Sequence, residues 1–317
     1  MRRTPSRRVR LLVVAVALPA VAAFGLAGCK PPVLQAACNG TLAASTHGPV
    51  ANPNIVEASG IAASHLVDDV YWVHNDSGDS PARVFAVGGD GRDLGEYTVE
   101  NADNYDWEDI AVGPGPAAGV SYLYLADIGG NIAPRTSLSV YRAPEPVVDT
   151  TALASTPKTL TGTEELTLTY PDGPHDAEGF MVDPVTGDFF VVTKALTSAQ
   201  VFRAPANLPE GSTTALTQVA TVGLGSLPGL VTAADVSPAG DVVALRTYTN
   251  VLMYQRPNGQ PLEAAFSQPV CLGAAPGIGT APNQELQGEA LGFTRSGNGY
   301  VTIAEGSHPY LHRFLMP

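Results

Sequence analysis

Five acidic residues recur along the chain, each between small or apolar neighbours. They are separated by 51, 70, 57 and 54 residues: Glu57, Glu108, Glu178, Asp235 and Glu289. If the fold brings them together, they need a counter-ion, because each carboxylate raises the pKa of its neighbours. Calcium accepts about six to eight oxygen ligands in a flexible shell, so a divalent cation site is one interpretation. The other is that these acids cap turns or accept backbone N–H groups.

A second set of polar residues stands at the ends of short apolar runs: Asn75, Asp127, Lys194, Arg246 and Glu305. The acids of this set and Asn75 join the first five as predicted metal ligands. Lys194 and Arg246 fit either ion pairs with Glu178 or Asp235, or the binding of an anionic ligand beside a metal. Three histidines adjoin these positions and are candidate acid–base groups: His74, His175 and His308.

The elements that must position these residues are short β-strands. Each acid of the first set begins a repeat of about four strands rich in β-branched and aromatic residues, separated by turns, and no long helical period interrupts residues 50–317. The pattern predicts an all-β fold, a β-propeller of four-stranded blades. Five blades fit best; six blades or a β-sandwich are the alternatives. Because the first strand begins where the second ends, both polar sets should line one mouth of the central channel.

The fifth repeat ends after its third strand. An N-terminal strand over Leu34–Ala44 would complete that blade and close the ring. It would also place Cys38 near Cys271 on the outer strand of the preceding blade. A Cys38–Cys271 disulfide is therefore predicted, with two free thiols as the alternative.

The N-terminus has the pattern of an export signal. Five arginines and no acid precede an apolar run within residues 1–28, which we interpret as a signal peptide. Leu26-Ala27-Gly28-Cys29 resembles the lipobox of bacterial lipoproteins, and Ser6-Arg7-Arg8 resembles a twin-arginine motif. We expect a lipidated Cys29, a tether over 29–33 and one propeller domain over 34–317 at the outer face of the bacterial cell membrane. Simple secretion is the alternative.

The composition limits the classes of partner. The chain has 17 Lys and Arg against 30 Asp and Glu, a net charge of −13, and the predicted signal peptide holds five of the arginines. This charge excludes a nucleic-acid binder that depends on a basic surface. We expect a monomer that contacts the membrane through its lipid alone, and an unknown small molecule or protein as partner at the channel mouth.

The blade-start motifs Glu57-Ala58-Ser59-Gly60, Asp106-Trp107-Glu108-Asp109 and Asp176-Ala177-Glu178-Gly179 look like those of exported bacterial propellers. They resemble the esterase-like phytase family and, more distantly, the gluconolactonase and paraoxonase lactonases. The resemblance implies a central calcium ion held by acidic and Asn side chains. By position the ligands would be Glu57, Asn75, Glu108, Asp127, Glu178 and Glu289. This chain has five clear repeats where those enzymes have six.

Three functions follow from the sequence. The favoured one is a lipid-anchored propeller that binds a divalent cation and a ligand or partner at an acidic mouth. The second is a calcium-dependent hydrolase of phosphate esters or lactones, and the third is a structural scaffold.

Overall fold

The structure is a computed structural model that describes residues 30–78, 81–130, 135–151, 157–224 and 229–317. The predicted signal peptide 1–28 and Cys29 lie outside these residues. Within them the chain forms a helix, α1 (Pro32–Cys38), a 3-10 helix (Leu262–Ser267) and a series of short strands. In chain order the strands are β1 (Ala43–His47), β2 (Ala58–Ala63), β3 (Val70–Asn75), β4 (Arg83–Gly88), β5 (Asp93–Val99), β6 (Trp107–Pro114), β7 (Ser121–Asp127), β8 (Leu138–Pro144), β9 (Lys158–Leu160), β10 (Glu164–Thr169), β11 (Ala177–Val182), β12 (Phe189–Thr193), β13 (Ser198–Ala204), β14 (Thr213–Ala215), β15 (Thr217–Gly223), β16 (Val231–Val236), β17 (Val242–Thr247), β18 (Val251–Gln255), β19 (Cys271–Gly273), β20 (Gly277–Ile278), β21 (Gln284–Glu285), β22 (Gly288–Phe293), β23 (Gly299–Ala304) and β24 (Leu311–Leu315).

The strands form five antiparallel blades, which confirms the predicted five-bladed propeller. From the channel outward the blades are β2-β3-β4-β5, β6-β7-β8-β10, β11-β12-β13-β15, β16-β17-β18-β19 and β22-β23-β24-β1. The short strands β9 and β14 add to blades 1 and 2 in parallel. The long step between Glu108 and Glu178 holds this crossover and no sixth blade in the described residues.

The five innermost strands contact one another in a closed ring, β2 to β6, β11, β16, β22 and back to β2. They are rich in Gly, Ala, Ser and Thr because the strands crowd around the axis. At Gly292 a Cβ atom would lie 2.5 Å from the carbonyl oxygen of Ile61 in the next blade. Five apolar clusters fill the five interfaces between neighbouring blades. Each large buried side chain there, such as Trp72 or Phe180, contributes about 1.5–3 kcal/mol to the free energy of folding.

The N-terminal segment closes the ring, although not with the predicted strand. Residues Pro32–Cys38 form helix α1, and the closing strand is β1, which pairs antiparallel with β24. The helix forms because Pro32 occupies its first turn and its apolar side chains fall on one face, buried against blades 4 and 5. None of the described helices is long and apolar enough to cross a membrane.

The predicted disulfide is confirmed. Cys38 at the end of α1 is bonded to Cys271 at the start of β19, with Cα atoms 5.1 Å apart. The bond links the closing segment to the outer edge of blade 4. It therefore constrains the same end of the chain that completes blade 5.

Candidate metal centre

Each innermost strand carries a β-bulge at its second residue, where the register with the neighbouring strand shifts by one. A bulged residue is unpaired in the ladder, and the bulge re-aims its side chain. We call these five positions the bulge ring: Ser59, Glu108, Glu178, Thr232 and Glu289. All five residues are buried. The end of the channel where the innermost strands begin is hereafter the acidic mouth.

The bulges show which residues of the five blades are equivalent. The equivalents of Glu108, Glu178 and Glu289 in blades 1 and 4 are Ser59 and Thr232. Glu57 lies two residues before the bulge, and Asp235 lies three residues beyond it on the way to the opposite mouth. In the sequence the five acids of the first set looked equivalent because their spacing is similar. The bulges show that Glu57 and Asp235 are not equivalent to the other three acids.

Three carboxylates converge at the acidic mouth. One oxygen each of Asp76, Asp106 and Glu108 lies within 4.8 Å of the others, so this buried group could hold a metal ion. Asp76 follows β3, Asp106 precedes β6 and Glu108 is the bulged residue of blade 2. One oxygen of each is buried and has no hydrogen-bond partner in the described part of the chain: Asp76 Oδ1, Asp106 Oδ2 and Glu108 Oε1. The predicted metal ligands included Glu108 but not Asp76, which follows the predicted ligand Asn75, or Asp106, which lies two residues before Glu108.

Gly129 closes one side of this acidic triad. A Cβ atom at this position would clash with Glu108 Oε1 and with Asp106 Oδ2. Two further acceptors, Asn104 Oδ1 and Glu178 Oε2, are buried and unpartnered among the described residues. Both belong to the segments that begin blades 2 and 3, so the mouth is rich in oxygen atoms without donors.

Burial and mutual repulsion raise the pKa values of the mouth acids. Burial raises the pKa of Asp76 to about 7, and the charges of Asp106, Glu305 and Glu57 act in the same direction. The pKa of Asp106 rises to about 6, again by burial first and then by Asp127. For Glu108 the pKa rises because of burial and the nearby Glu178. A bound cation would relieve this repulsion.

Lys194 places a positive charge next to the triad. It directly follows β12, forms an ion pair with Glu178 and lies 5.2 Å from the ring centroid of Tyr248. Burial opposes a charged lysine, but the carboxylate of Glu178 outweighs it, and the pKa of Lys194 is raised. Its positive charge offsets part of the rise in the pKa of Asp76, Asp106 and Glu108. Lys194 therefore belongs to the same electrostatic cluster as the triad.

Asn75 and Asp127 occupy matched positions at the ends of β3 and β7, opposite Ala58 and Trp107. Asn75 Oδ1 accepts the backbone N–H groups of Val56 and Glu57 at 3.0 and 3.2 Å. Asp127 accepts the N–H groups of Tyr105 and Asp106 and pairs with Arg135. Both side chains position the loop that leads into an innermost strand.

The other predicted ligands are spread around this mouth or away from it. Glu289 is buried and accepts from Gln287, while Glu57 and Glu305 are exposed near Asp76. Asp235 accepts the backbone N–H groups of Phe293 and Val236 at 2.6 and 2.8 Å. Their roles as metal ligands stay predictions.

Arg246 and the three histidines lie outside the triad. Arg246 is fully buried and pairs with Glu285 at 2.5 Å. His74 is buried against Trp107, and burial lowers its pKa to about 4. His175 pairs with Asp172 at 2.9 Å beside Tyr170, and His308 hydrogen-bonds Ser307 at 2.9 Å. Lys194 is therefore the predicted anion-binding residue that the fold brings to the triad.

Asp109 fills the channel directly below the bulge ring. The equivalent residues of the other blades are small: Gly60, Gly179, Ala233 and Ala290. Asp109 Oδ2 accepts the backbone N–H groups of Phe180 and Ala234, each at 2.9 Å, and Oδ1 accepts that of Ile110. Asp109 thereby joins blades 2, 3 and 4. The signal in the sequence is an acid at a position where every other repeat has Gly or Ala.

No protein-family model matches this chain, and no curated protein matches its sequence. A chain in the crystal structure of a nidogen/laminin complex aligns with 79% of this chain and 73% of its own length, at 12% identity and a TM-score of 0.41.

Proposed function

We propose that this protein binds a divalent cation, calcium in the first instance, through Asp76, Asp106 and Glu108 at the acidic mouth. The observation that supports this proposal is the convergence of three carboxylates, each of which has one buried oxygen without a donor among the described residues. Oxygen ligands about 2.4 Å from calcium span up to about 4.8 Å across the ion, which agrees with the spacing of the triad. A buried acceptor without a partner costs about 1–3 kcal/mol, so the site is stabilised by a cation.

The first test is the metal content of the purified protein and its melting temperature with and without calcium. Calcium at about 100 times its dissociation constant should stabilise the fold by about 2.7 kcal/mol. The Glu108→Gln variant should lose this effect, whereas Glu210→Gln, the same change at an exposed site, should keep it. A protein that holds no divalent ion after calcium soaking, and whose melting temperature does not respond to calcium, refutes the proposal.

The wider proposal is a lipid-anchored, exported propeller whose cation site receives a small ligand or a partner protein. The disulfide supports export, because disulfides persist in oxidising compartments. The test is fractionation of cells that express the full chain or its Cys29→Ala variant. The full chain should fractionate with membranes and the variant should not; equal distribution contradicts the anchor.

Hydrolysis is the second candidate, supported by the ammonium group of Lys194 beside the triad. A cation and a lysine together bind the oxygens of phosphate or carboxylate groups. The calcium-loaded protein should then hydrolyse a nitrophenyl phosphate or a simple lactone, and Lys194→Met should reduce the rate. Calcium binding without turnover of either substrate class would favour the binding function.

A further inference from the structure

The opposite end of the channel has its own ring of equivalent residues. They lie six positions after the bulged residue of each blade, at the end of the innermost strand or two residues beyond it: His65, Pro114, Pro184, Pro238 and Arg295. We call this set the exit ring. It surrounds a cavity of about 440 Å³, to which Val120 and Ser121 also contribute.

The exit ring has an apolar side and a polar side. Blades 2, 3 and 4 supply the three prolines, whose side chains are rigid and apolar. Blades 5 and 1 supply Arg295 and His65, and these blades are neighbours because β22 contacts β2. The cavity thus has an apolar wall facing a guanidinium and an imidazole, the mixture typical of a small-molecule site.

Arg295 is open to a ligand. Its one described ion pair is with Asp68, at 2.5 Å, and the Asp68 side chain is 87% exposed. An ion pair with such an exposed partner contributes little to stability, because water screens it and both side chains lose freedom. A guanidinium at the rim of a cavity binds a carboxylate through two parallel hydrogen bonds.

His65 is fixed beside Arg295. The backbone N–H of His65 donates to the carboxylate of Glu145, at 3.1 Å to the nearer oxygen, and that carboxylate also accepts from Ser64 and Trp72. Burial lowers the pKa of His65; Glu145 opposes the shift and Arg295 adds to it. The imidazole is therefore neutral near pH 7 and offers one donor and one acceptor.

The cavity is separated from the acidic mouth. It narrows to a neck of about 20 Å³ beside Asp235, Val182 and Phe293. Beyond the neck, the fully buried Asp109 fills the channel. Both oxygens of Asp235 at the neck accept backbone N–H groups, so the neck offers no donor to an anionic group, and the anionic end of a ligand belongs at the rim.

We propose that the exit-ring cavity binds a small organic carboxylate with a compact apolar body. Its carboxylate pairs with Arg295 and hydrogen-bonds His65, and its apolar body lies against Pro114, Pro184 and Pro238. This site does not depend on the cation site, because each has its own residues and its own mouth.

The probe is benzoate, with benzyl alcohol as its uncharged counterpart, and binding is measured by titration calorimetry and by chemical shifts of the labelled full chain. Benzoate should bind with saturation, and benzyl alcohol about tenfold more weakly. Arg295→Gln should weaken benzoate binding about tenfold. Arg92→Gln should not, since Arg92 has a comparable exposed pair with Asp90 away from the cavity.

The same titration with calcium or with a chelator separates this site from the cation site. Benzoate affinity should be equal in both, and the Glu108→Gln variant should bind benzoate normally. Absence of saturable benzoate binding, or equal binding by the Arg295→Gln variant, would overturn the proposal while leaving the cation site untouched.

Discussion

Glu108 and Asp109 are neighbours in the chain and both are buried, yet they lie in two regions of the channel with opposite chemistry. Asp109 accepts three backbone N–H groups from three blades. Glu108 Oε1 has no donor among the described residues and faces two other carboxylates. A carboxylate whose lone pairs are filled by the backbone is part of the architecture, whereas one left without donors needs a ligand or a proton. The difference arises at the bulge, which turns Glu108 to the mouth and leaves Asp109 inside.

The largest expected effect is the loss of stability when Asp109 is replaced. Asp109→Ala leaves three buried N–H donors without an acceptor, each costing about 1–3 kcal/mol, so the free energy of unfolding should fall by about 3–9 kcal/mol. Urea denaturation followed by circular dichroism measures this loss. Asp109→Asn keeps one carbonyl acceptor and should lose less. If Asp109→Ala unfolds at the same urea concentration as the wild type, Asp109 does not stabilise the fold, and the contrast with Glu108 is wrong.

Glu108→Gln should show the reverse behaviour. Calcium affinity should fall about 100-fold, because the site loses a charged ligand, and that factor corresponds to about 2.7 kcal/mol. The calcium-free protein should be at least as stable as the wild type, because burial and the nearby Glu178 disfavour the charged form of Glu108 and the neutral Gln avoids this cost. Calorimetric titration measures the affinity and urea denaturation the stability. Stability lost in parallel with affinity would mean that Glu108 is architectural after all.

Gly129→Ala tests the geometry of the triad without changing any charge. Its Cβ atom would displace Glu108 Oε1 and Asp106 Oδ2, so calcium affinity should fall about tenfold. Gly223→Ala is the matched control, because nothing lies within 4 Å of a Cβ atom there. If both variants bind calcium like the wild type, the two oxygens that face Gly129 are not ligands.

The smallest expected effect is the response to pH. Asp76 has a folded-state pKa of about 7 against an ordinary value of 3.8, so the protonated form stabilises the fold. That contribution is complete below about pH 3.8 and is lost as pH rises through about 7. The calcium-free protein should therefore melt a few degrees lower at pH 8 than at pH 6. Calcium competes with the proton, so its stabilising effect should grow over the same interval; a calcium effect that shrinks with rising pH would count against carboxylate ligands.

The blades were predictable because their signals are local. β3, with Val70, Tyr71, Trp72 and Val73, shows its strand character in its residue types, and the strand groups recur at blade length. The predicted disulfide followed from counting cysteines and from the incomplete fifth blade. The secondary structure of the closing segment was harder to predict. The residues from Leu34 onward are apolar enough for a strand, but the spacing of the apolar residues and Pro32 favour a helix packed on blades 4 and 5.

The site was only partly predictable, because it depends on register. Glu57 and Ser59 are two residues apart, and only the bulge decides that Ser59 is the equivalent of Glu108. Asp76 directly follows the predicted ligand Asn75, whose side chain binds the loop before β2 instead, and Asp106 lies two residues before the predicted ligand Glu108. One-residue shifts of this kind change which side chains face the mouth. They cannot be predicted from the pattern of apolar residues in a strand.

The sequence by itself determined the all-β class, the five repeats and the excess of acid at the starts of blades, because strand propensity, turns and charge are properties of short segments. The tertiary structure alone decided which carboxylates meet, which of them the backbone satisfies, and that a second ring of His65, three prolines and Arg295 surrounds the opposite mouth. Residues far apart in the chain become neighbours only when five blades close around one axis. The bulge then sets which side chain each blade presents there.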